Sequence, residues 1–535
     1  MRLQIDVFGG MVPIIEASKL PVKNAELAEN CRFDGGDLSA YNGLQSYIDT
    51  LNSGTDSLFL YAGQYWFSWP GEVNPVVSPI NNDAYDRVYF TGDGAPKVTA
   101  NTIATGSGAM PLASYRMGVQ QPDPPVVTAT NNNTEDGDTT NNTSRFYLTT
   151  YVNGFGEESM PSNITDEVEI RVPSGAEVEL TLNTPTTNDQ NIEFQRIYRS
   201  NGNDYQLVGQ VAIGTTTFTD TLEDDELGVV LDTFSFSEPM QNMQGLTGMT
   251  NGILAGFSGY TIAFSEAYLP HAWPVEYEQT TEWPIVGIKA VGNSVVVGTE
   301  GNPYLFSGVS PDAISSQKLP LAQGCVSSRS MVDMGNYVIY ASPDGLVAVS
   351  PGNASLITAN IINKEIWQSY QPETIRAGLY EGKYLAFYGS SKGFIFDPQN
   401  LDFVELDFTA QAIYSDLKTD TLYFSDNDTL YGFDSADDLS YTWKKTIRLN
   451  YRSGPTVVFI DCDDPANVGF TYRVDGVELA SHTNVEQTST DQEMPYPGVF
   501  RLPGHRGKEI QITLTGSSAV HRVVLSGSIN EALNG

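Results

Sequence analysis

Cysteine, histidine and basic side chains are all scarce here, and each scarcity removes a class of function. The three cysteines, Cys31, Cys325 and Cys462, are odd in number and far apart. That excludes a disulfide framework and a CxxC-type zinc site, and leaves buried free thiols. The four histidines, His271, His482, His505 and His521, are just as scattered, with no HExxH or HxH spacing to seat a hydrolytic metal. There is no P-loop, no dinucleotide-binding glycine motif after a strand and no GxSxG elbow leading from a strand into a helix. Nucleotide chemistry and acyl transfer therefore have no visible seat, and we expect no enzyme, no catalytic residue and no cofactor. No apolar run reaches the roughly 18 residues of a membrane-spanning helix. The start, MRLQIDVFGGMVP, lacks the charged-then-apolar order of a secretory signal. The expected protein stays in the cytoplasm where it is made or leaves inside a larger particle.

Charge of one sign is short as well: 28 basic residues stand against 65 acidic ones, a formal net charge of −37. Residues 441–535 carry 9 basic and 10 acidic side chains, which leaves 19 against 55 for residues 1–440. A surface this acidic repels phosphate and offers no basic stripe, which argues against ordinary nucleic-acid binding.

What is plentiful is the short apolar run broken by Gly, Asp or Asn. NGILAGFSGYTIAFSE from Asn251, GNSVVVGTEGNPYLFSG from Gly292, GNYVIYASPDGLVAVSP from Gly335, EGKYLAFYGSSKGFIFDP from Glu381 and TDTLYFSDNDTLYGFDS from Thr419 share one shape. Each is a run of three to five apolar residues, a turn, and a second apolar strand, the grammar of a hairpin. With Ile253, Val295, Val338, Tyr384 and Leu422 as equivalent points, the spacings are 42, 43, 46 and 38 residues. This is the period of four-stranded propeller blades, and the helical alternatives lack the 3.6-residue apolar faces they need. LFLYAGQYWFSW (58–69) and RVYFTGDGAPKVT (87–99) add one or two blades, giving six or seven in a ring that leaves no exposed sheet edge.

The predicted fold is thus all-β: a β-propeller of six or seven blades, an inserted Ig or fibronectin type III-like β-sandwich, and a C-terminal β-rich domain. The expected divisions are an extended arm over 1–50, the first blades over 51–118, the sandwich over 119–232, the remaining blades over 233–440 and a docking domain over 441–535. Within the arm, NAELAENC (24–31) predicts a short helical turn. The insertion opens QQPDPPVVTAT, passes a polar loop (131–144), and then alternates through RFYLTTYVN, VEIRV, VELTL, IEFQRIYRS, YQLVGQVA and TTFTDT. Six or seven short strands in about 110 residues fit a sandwich. The order resembles fibronectin type III modules, which implies a rigid spacer or docking module.

Candidate binding residues form two groups. AYLPHAWPVEYEQTTEWP concentrates Tyr268, Trp273, Tyr277 and Trp283, readable as a glycan-stacking platform or as packing between blades. Lys444, Lys445, Arg448 and Arg452 form a basic cluster suited to meet an acidic surface of a neighbouring subunit. The aspartates of SDNDTLYGFDSADD (425–438) and DCDDPAN (461–467) offer oxygens for calcium, although Asp and Asn also dominate plain hairpin turns. No metal site is assigned.

Taken together, GLTGMTNGILAGFSGYTIAFSEAYLPHAWPVEY, VSSRSMVDMGNYVIYASPDGLVAV and the N-terminal FGGMVP with NAELAENCRFDGGDLSAYNG resemble virion proteins near the tail end of short-tailed bacteriophages. The family in question is the tail nozzle, or tail tubular protein B, group. The resemblance is strongest over 1–50 and 240–440. It implies a structural protein of the viral tail, assembled in the host bacterial cytoplasm into a homo-oligomeric, typically hexameric ring. Such a ring sits below an adaptor, contacts tail fibre or needle proteins, and conducts genomic double-stranded DNA during ejection without binding it tightly. On that reading the acidic excess has a role. DNA carries one charge per roughly 1.7 Å, so an acidic bore keeps it off the wall. The alternative is a receptor-binding or polysaccharide-binding tail protein.

Overall fold

The five points used to set the sequence period all mark the same place in the structure, the second strand of an antiparallel sheet. In this computed structural model, which describes residues 2–130, 142–171, 177–390, 392–486 and 498–534, Val295, Val338, Tyr384 and Leu422 lie in strands Ser294–Thr299, Val338–Ser342, Lys383–Tyr388 and Thr421–Asp426. Ile253 directly precedes Leu254–Ser258. All five side chains are fully buried. Second and third strands are covered on both faces and so read as unbroken apolar runs. The fourth strand Ser315–Lys318 is exposed throughout and carries no such signature.

Among the described residues seven sheets of this blade type follow one another. The first is the hairpin Ser57–Tyr61 and Tyr65–Trp69. The second runs Asn74–Val77, Val88–Thr91, Lys97–Thr99 and Tyr115–Arg116, and the third Gln244–Gly248, Leu254–Ser258, Thr261–Phe264 and Gln279–Thr280. The fourth spans 285–318, the fifth 332–356 and the sixth 376–406. The seventh takes Ala412–Asp416, Thr421–Asp426 and Thr429–Gly432 from late in the chain and its outer strand, Gln45–Tyr47, from the N-terminal arm. Among the described residues helix is confined to two six-residue α-helices and a few 3-10 turns.

The chain divides into two compact units, Met1–Pro70 with Val296–Leu305 and Gln317–Gly535, and Gly71–Val295 with Phe306–Ser316. In the first unit the first strands of sheets five, six and seven pack on one another in chain order, and the first strand of sheet seven lies against Ser57–Tyr61 of the first sheet. Leu58, Trp66, Ala412 and Leu430 form the shared cluster there. In the second unit Asn74–Val77 packs on Gln244–Gly248, which packs on Ile285–Val291. First strands inside and fourth strands outside is the arrangement of propeller blades.

The second unit also holds three small sheets over 126–220. Val126–Thr130, Glu177–Thr181 and Thr217–Asp220 form one, Tyr147–Asn153, Ile192–Asn201 and Asp204–Ala212 another, and Asn142–Arg145 pairs with Val168–Arg171. They close over one core of Tyr147, Ile170, Val178, Leu180 and Ile197. The polar loop expected at 131–144 lies outside the described residues except for Asn142–Ser144. Gly118 and Pro239 bring the two ends of the insertion side by side: a Cβ on Gly118 would stand 2.9 Å from the proline ring.

The arm departs from expectation. The helical turn read at 24–31 is absent; Asn24–Ala25, Leu27–Glu29 and Cys31–Arg32 are strands. Leu27–Glu29 pairs antiparallel with Tyr441–Ser453 and meets the outer strand of sheet six through Glu29 and Glu405. It thereby joins that blade to the C-terminal strands Gly507–Gly516, Val468–Val474 and Val477–His482 in one nine-stranded sheet. Leu3–Ile5 adds to the sheet that covers them, beside Val520–Ser526, Val457–Cys462 and Val499–Arg501. Two strands waiting on either side outweigh a weak local helix propensity.

Candidate functional site

The aromatic segment of the third sheet does not assemble into one platform. Trp273 is 3% exposed, sits in the core with Tyr89, Met243 and Leu254, and donates its indole N–H to the Pro270 carbonyl at 2.8 Å. Tyr268 is exposed at the end marked by the turn at Gly252, whose carbonyl takes its N–H. Trp283 is exposed at the opposite end, beside Tyr260: Thr281 donates its N–H to the Tyr260 carbonyl and its hydroxyl to the Trp283 carbonyl at 2.7 Å. A blade strand of four residues separates the two ends by about 13 Å. Tyr277 gives its hydroxyl to Glu266 at 2.8 Å.

The four basic residues also divide. Lys445 is 1% exposed, and its ammonium donates to the carbonyls of Leu20, Pro21 and Asn24 in the arm. Burial pushes this amine down to about 8, while three carbonyl dipoles act to keep the proton on. Lys444 reaches Glu26 at 2.9 Å, and Thr446 donates to the same carboxylate at 2.6 Å. Burial raises Glu26, but these bonds outweigh it and hold the carboxyl below its usual range. Lys444 thus has its acidic partner, Glu26, in the arm of its own chain, and Lys445 is held there by backbone carbonyls. Arg448 and Arg452 remain exposed. A second clamp on the arm is His521, with Nδ1 3.0 Å from Asp37 and Nε2 2.9 Å from Asp463, which together raise its pKa.

Within the second unit a buried charge network ties the insertion to the blades. Glu157 Oε1 accepts from Arg87 at 2.7 Å and from the Tyr89 hydroxyl at 3.2 Å, and its Oε2 accepts from Asn153 at 2.7 Å. Asp83 holds the other side of the Arg87 guanidinium at 2.7 Å. His271 Nδ1 lies 3.8 Å from Glu157, and burial depresses its pKa. Inside the insertion, fully buried Arg199 and Asp220 pair at 2.7 Å, and Tyr147 donates to the same carboxylate. Of these residues, sequence reasoning named only His271, as one of four scattered histidines. The available signals were an arginine heading the apolar run RVYF and a histidine between apolar neighbours in PHAW.

The aspartate runs serve as turn and clamp residues. Asp434 pairs with Arg32 at 2.8 Å and accepts from the Tyr380 hydroxyl, Asp428 accepts the Thr55 N–H, and Asp464 caps a 3-10 turn at Ala466. No group of three or more potential metal ligands gathers among the described residues. The letters Gly389 to Gly393 fit GxSxG, but they join strand Lys383–Tyr388 to strand Lys392–Asp397 and no helix follows. Cys31 and Cys325 are buried, their thiols donating to the backbone carbonyls of Glu29 and Thr442 and of Ser327, and burial holds the Cys31 thiol well above its usual pKa. A small cleft of about 30 Å³ holds Asp34, Asp397 and Asp402 beside Lys383. Asp34 bonds Arg32, Asp397 caps the Gln399 N–H, and Asp402, raised by burial, accepts the Gly10 N–H. The geometry holds strands in place and leaves most other carboxylates facing water. Glu276, Glu278, Glu282, Glu300, Asp312, Glu365 and Asp420 are exposed in the turns and connections of sheets three to seven.

No helix of the described residues is long and apolar enough to cross a membrane. No protein-family model and no curated protein matches the chain. Solved structures do resemble it. BamB from Moraxella catarrhalis is 9% identical, with 74% of this chain and 97% of that one covered at a TM-score of 0.33. The Neurospora crassa Pan2 WD40 domain is 7% identical, with 75% and 97% covered at 0.30, and the computationally designed Ika8 protein is 9% identical, with 73% and 99% covered at 0.29.

Proposed function

We propose that this chain is a non-enzymatic structural protein of a bacteriophage tail, a nozzle or tail-tube component whose copies form a ring through which genomic DNA is retained and then ejected. The observation that carries the reading is where the charge stands. Blade cores are mostly apolar, while carboxylates crowd the turns and connections of a chain of net charge −37. A conduit for a polyanion needs walls that do not hold it, and an excess of surface carboxylates supplies that repulsion within a Debye length of about 8 Å at physiological salt. The resemblance of 1–50 and 240–440 to tail nozzle proteins supports the same reading. Its partners are then a tail adaptor, fibre or needle proteins and further copies of itself, without a cofactor, in the virion tail. Electron microscopy of the purified chain and of intact particles tests it. Rings on the tail axis are expected, with duplex DNA unretained at 150 mM salt. Tight, salt-sensitive duplex binding or a position off the DNA route overturns it.

A second reading, a receptor-binding or polysaccharide-binding tail protein, draws on the exposed pair Tyr260 and Trp283. Glycan-array binding lost in Trp283→Ala would favour it; Trp273→Ala would only damage the core.

A further inference from the structure

Four of the basic side chains that the arm does not take up gather at one end of the C-terminal sheet. Arg448 stands opposite Glu509, and the register then breaks until Ser453 meets Gly507, so no residue of Gly507–Gly516 pairs with 449–452. Arg506 and Lys508 lie across that break. Gly454 packs so closely there that a Cβ would come within 1.9 Å of the His505 carbonyl. Arg448, Arg452, Arg506 and Lys508 are exposed, and none joins an ion pair among the described residues. Tyr451, 65% exposed, stands among them. The carboxylates at hand are few: Asp475, whose Oδ1 accepts the N–H groups of Lys508 and Glu509, Glu509 itself, and Glu16, which Lys19 pairs.

Free guanidinium groups around a bare tyrosine are the composition of an interface, and on this chain they are complementary to almost everything outside residues 441–535. We propose that this basic rim docks on a second copy of the chain, its seat being the acidic run Glu223–Glu226 of that copy. The run is four consecutive exposed carboxylates. Arg199 takes Asp224 at 2.8 Å, and Glu226 accepts the Glu223 N–H at 3.0 Å, which leaves Glu223 and Asp225 to receive arginine forks. A patch that meets a different patch on the next copy is a heterologous contact, the kind that closes into rings. The inference rests on the ring reading and supplies its contact.

The test uses the full chain in mass photometry and sedimentation at 50 and 500 mM NaCl. The variants are Arg452→Glu/Arg506→Glu, Glu223→Lys/Asp225→Lys and all four together, with thermal melts to verify that these exposed changes leave the fold intact. Wild type should form an oligomer that dissociates as salt rises, each double variant should weaken association by about tenfold or more, and the fourfold variant should regain it. A wild-type oligomer indifferent to both reversals sinks the docking surface and leaves the ring standing. A wild-type chain that stays monomeric sinks both. Loss of duplex DNA retention in Arg452→Glu/Arg506→Glu, with assembly intact, makes the rim a nucleic-acid contact and overturns the proposal.

Discussion

Glu157 carries the strongest demand at the scale of single residues. Both its oxygens are engaged, and the Arg87 it pairs with is 4% exposed. Truncating one partner of a buried pair strands the other charge, at about 3–5 kcal/mol; Asp83, still bound to Arg87, places Glu157→Ala at the lower end. The urea midpoint of Glu157→Ala should fall well below wild type, and Arg87→Leu/Glu157→Leu, which removes both charges, should recover part of the loss. An unchanged midpoint for Glu157→Ala would mean that water already reaches the pair. The histidines set opposite pH dependences. His521 is raised by its bonds to Asp463 and Asp37, so its clamp on the arm is fully present below the ordinary histidine value near 6.5 and is lost as pH rises through the raised value. His271 is lowered by burial; its contribution is present above about 6.5 and declines as pH falls toward the lowered value. Protease cleavage of the arm should therefore accelerate from pH 6 to 8 in wild type, and His521→Gln should flatten that profile.

The arm shows how elements depend on distant parts of the chain. Ala28 is fully buried, paired across the ladder with Trp443, in a three-residue strand that joins a blade to the C-terminal sheet. Ala28→Asp places an unpaired carboxylate there at a cost of several kcal/mol. It also opens two strand edges to aggregation, so the soluble fraction after expression should collapse, whereas Glu26→Gln, at a partly exposed site, should remain soluble. Normal yield of Ala28→Asp would show that the arm is dispensable for folding. The same element explains what could be read in advance. Each blade hairpin is local, with buried second and third strands close in sequence, so its period stood out in the letters. The strand role of Leu27–Glu29 depends on Thr442, Trp443 and Lys444 some four hundred residues later, and no local pattern encodes that. Likewise Arg87 and Glu157 are separated by seventy positions, and the aromatic run 268–283 hid a fold that sends Trp273 inward and Tyr268 and Trp283 to opposite ends.

At the scale of the whole molecule one quantity was fully legible, the net charge of −37, and its consequence is a chain that repels itself. Surface ion pairs such as Lys97 with Asp93 at 2.6 Å contribute little, and Arg32 with Asp434, at 2.8 Å, is a partly buried exception. Acidic residues outnumber basic ones by more than two to one. Like-charge repulsion acts over about 30 Å at 10 mM salt and about 8 Å at 150 mM. The melting midpoint should therefore climb as NaCl rises between those values and then level off, because repulsion is screened while apolar cores are nearly indifferent to this salt range. A midpoint that falls with salt would mean that attractive pairs outweigh repulsion, and the carboxylates would then be too well matched locally to act on a passing polyanion. The same titration with duplex DNA present should leave the curve unmoved at every salt concentration, since a ligand that binds only the folded chain raises its midpoint and a conduit wall does not bind its cargo.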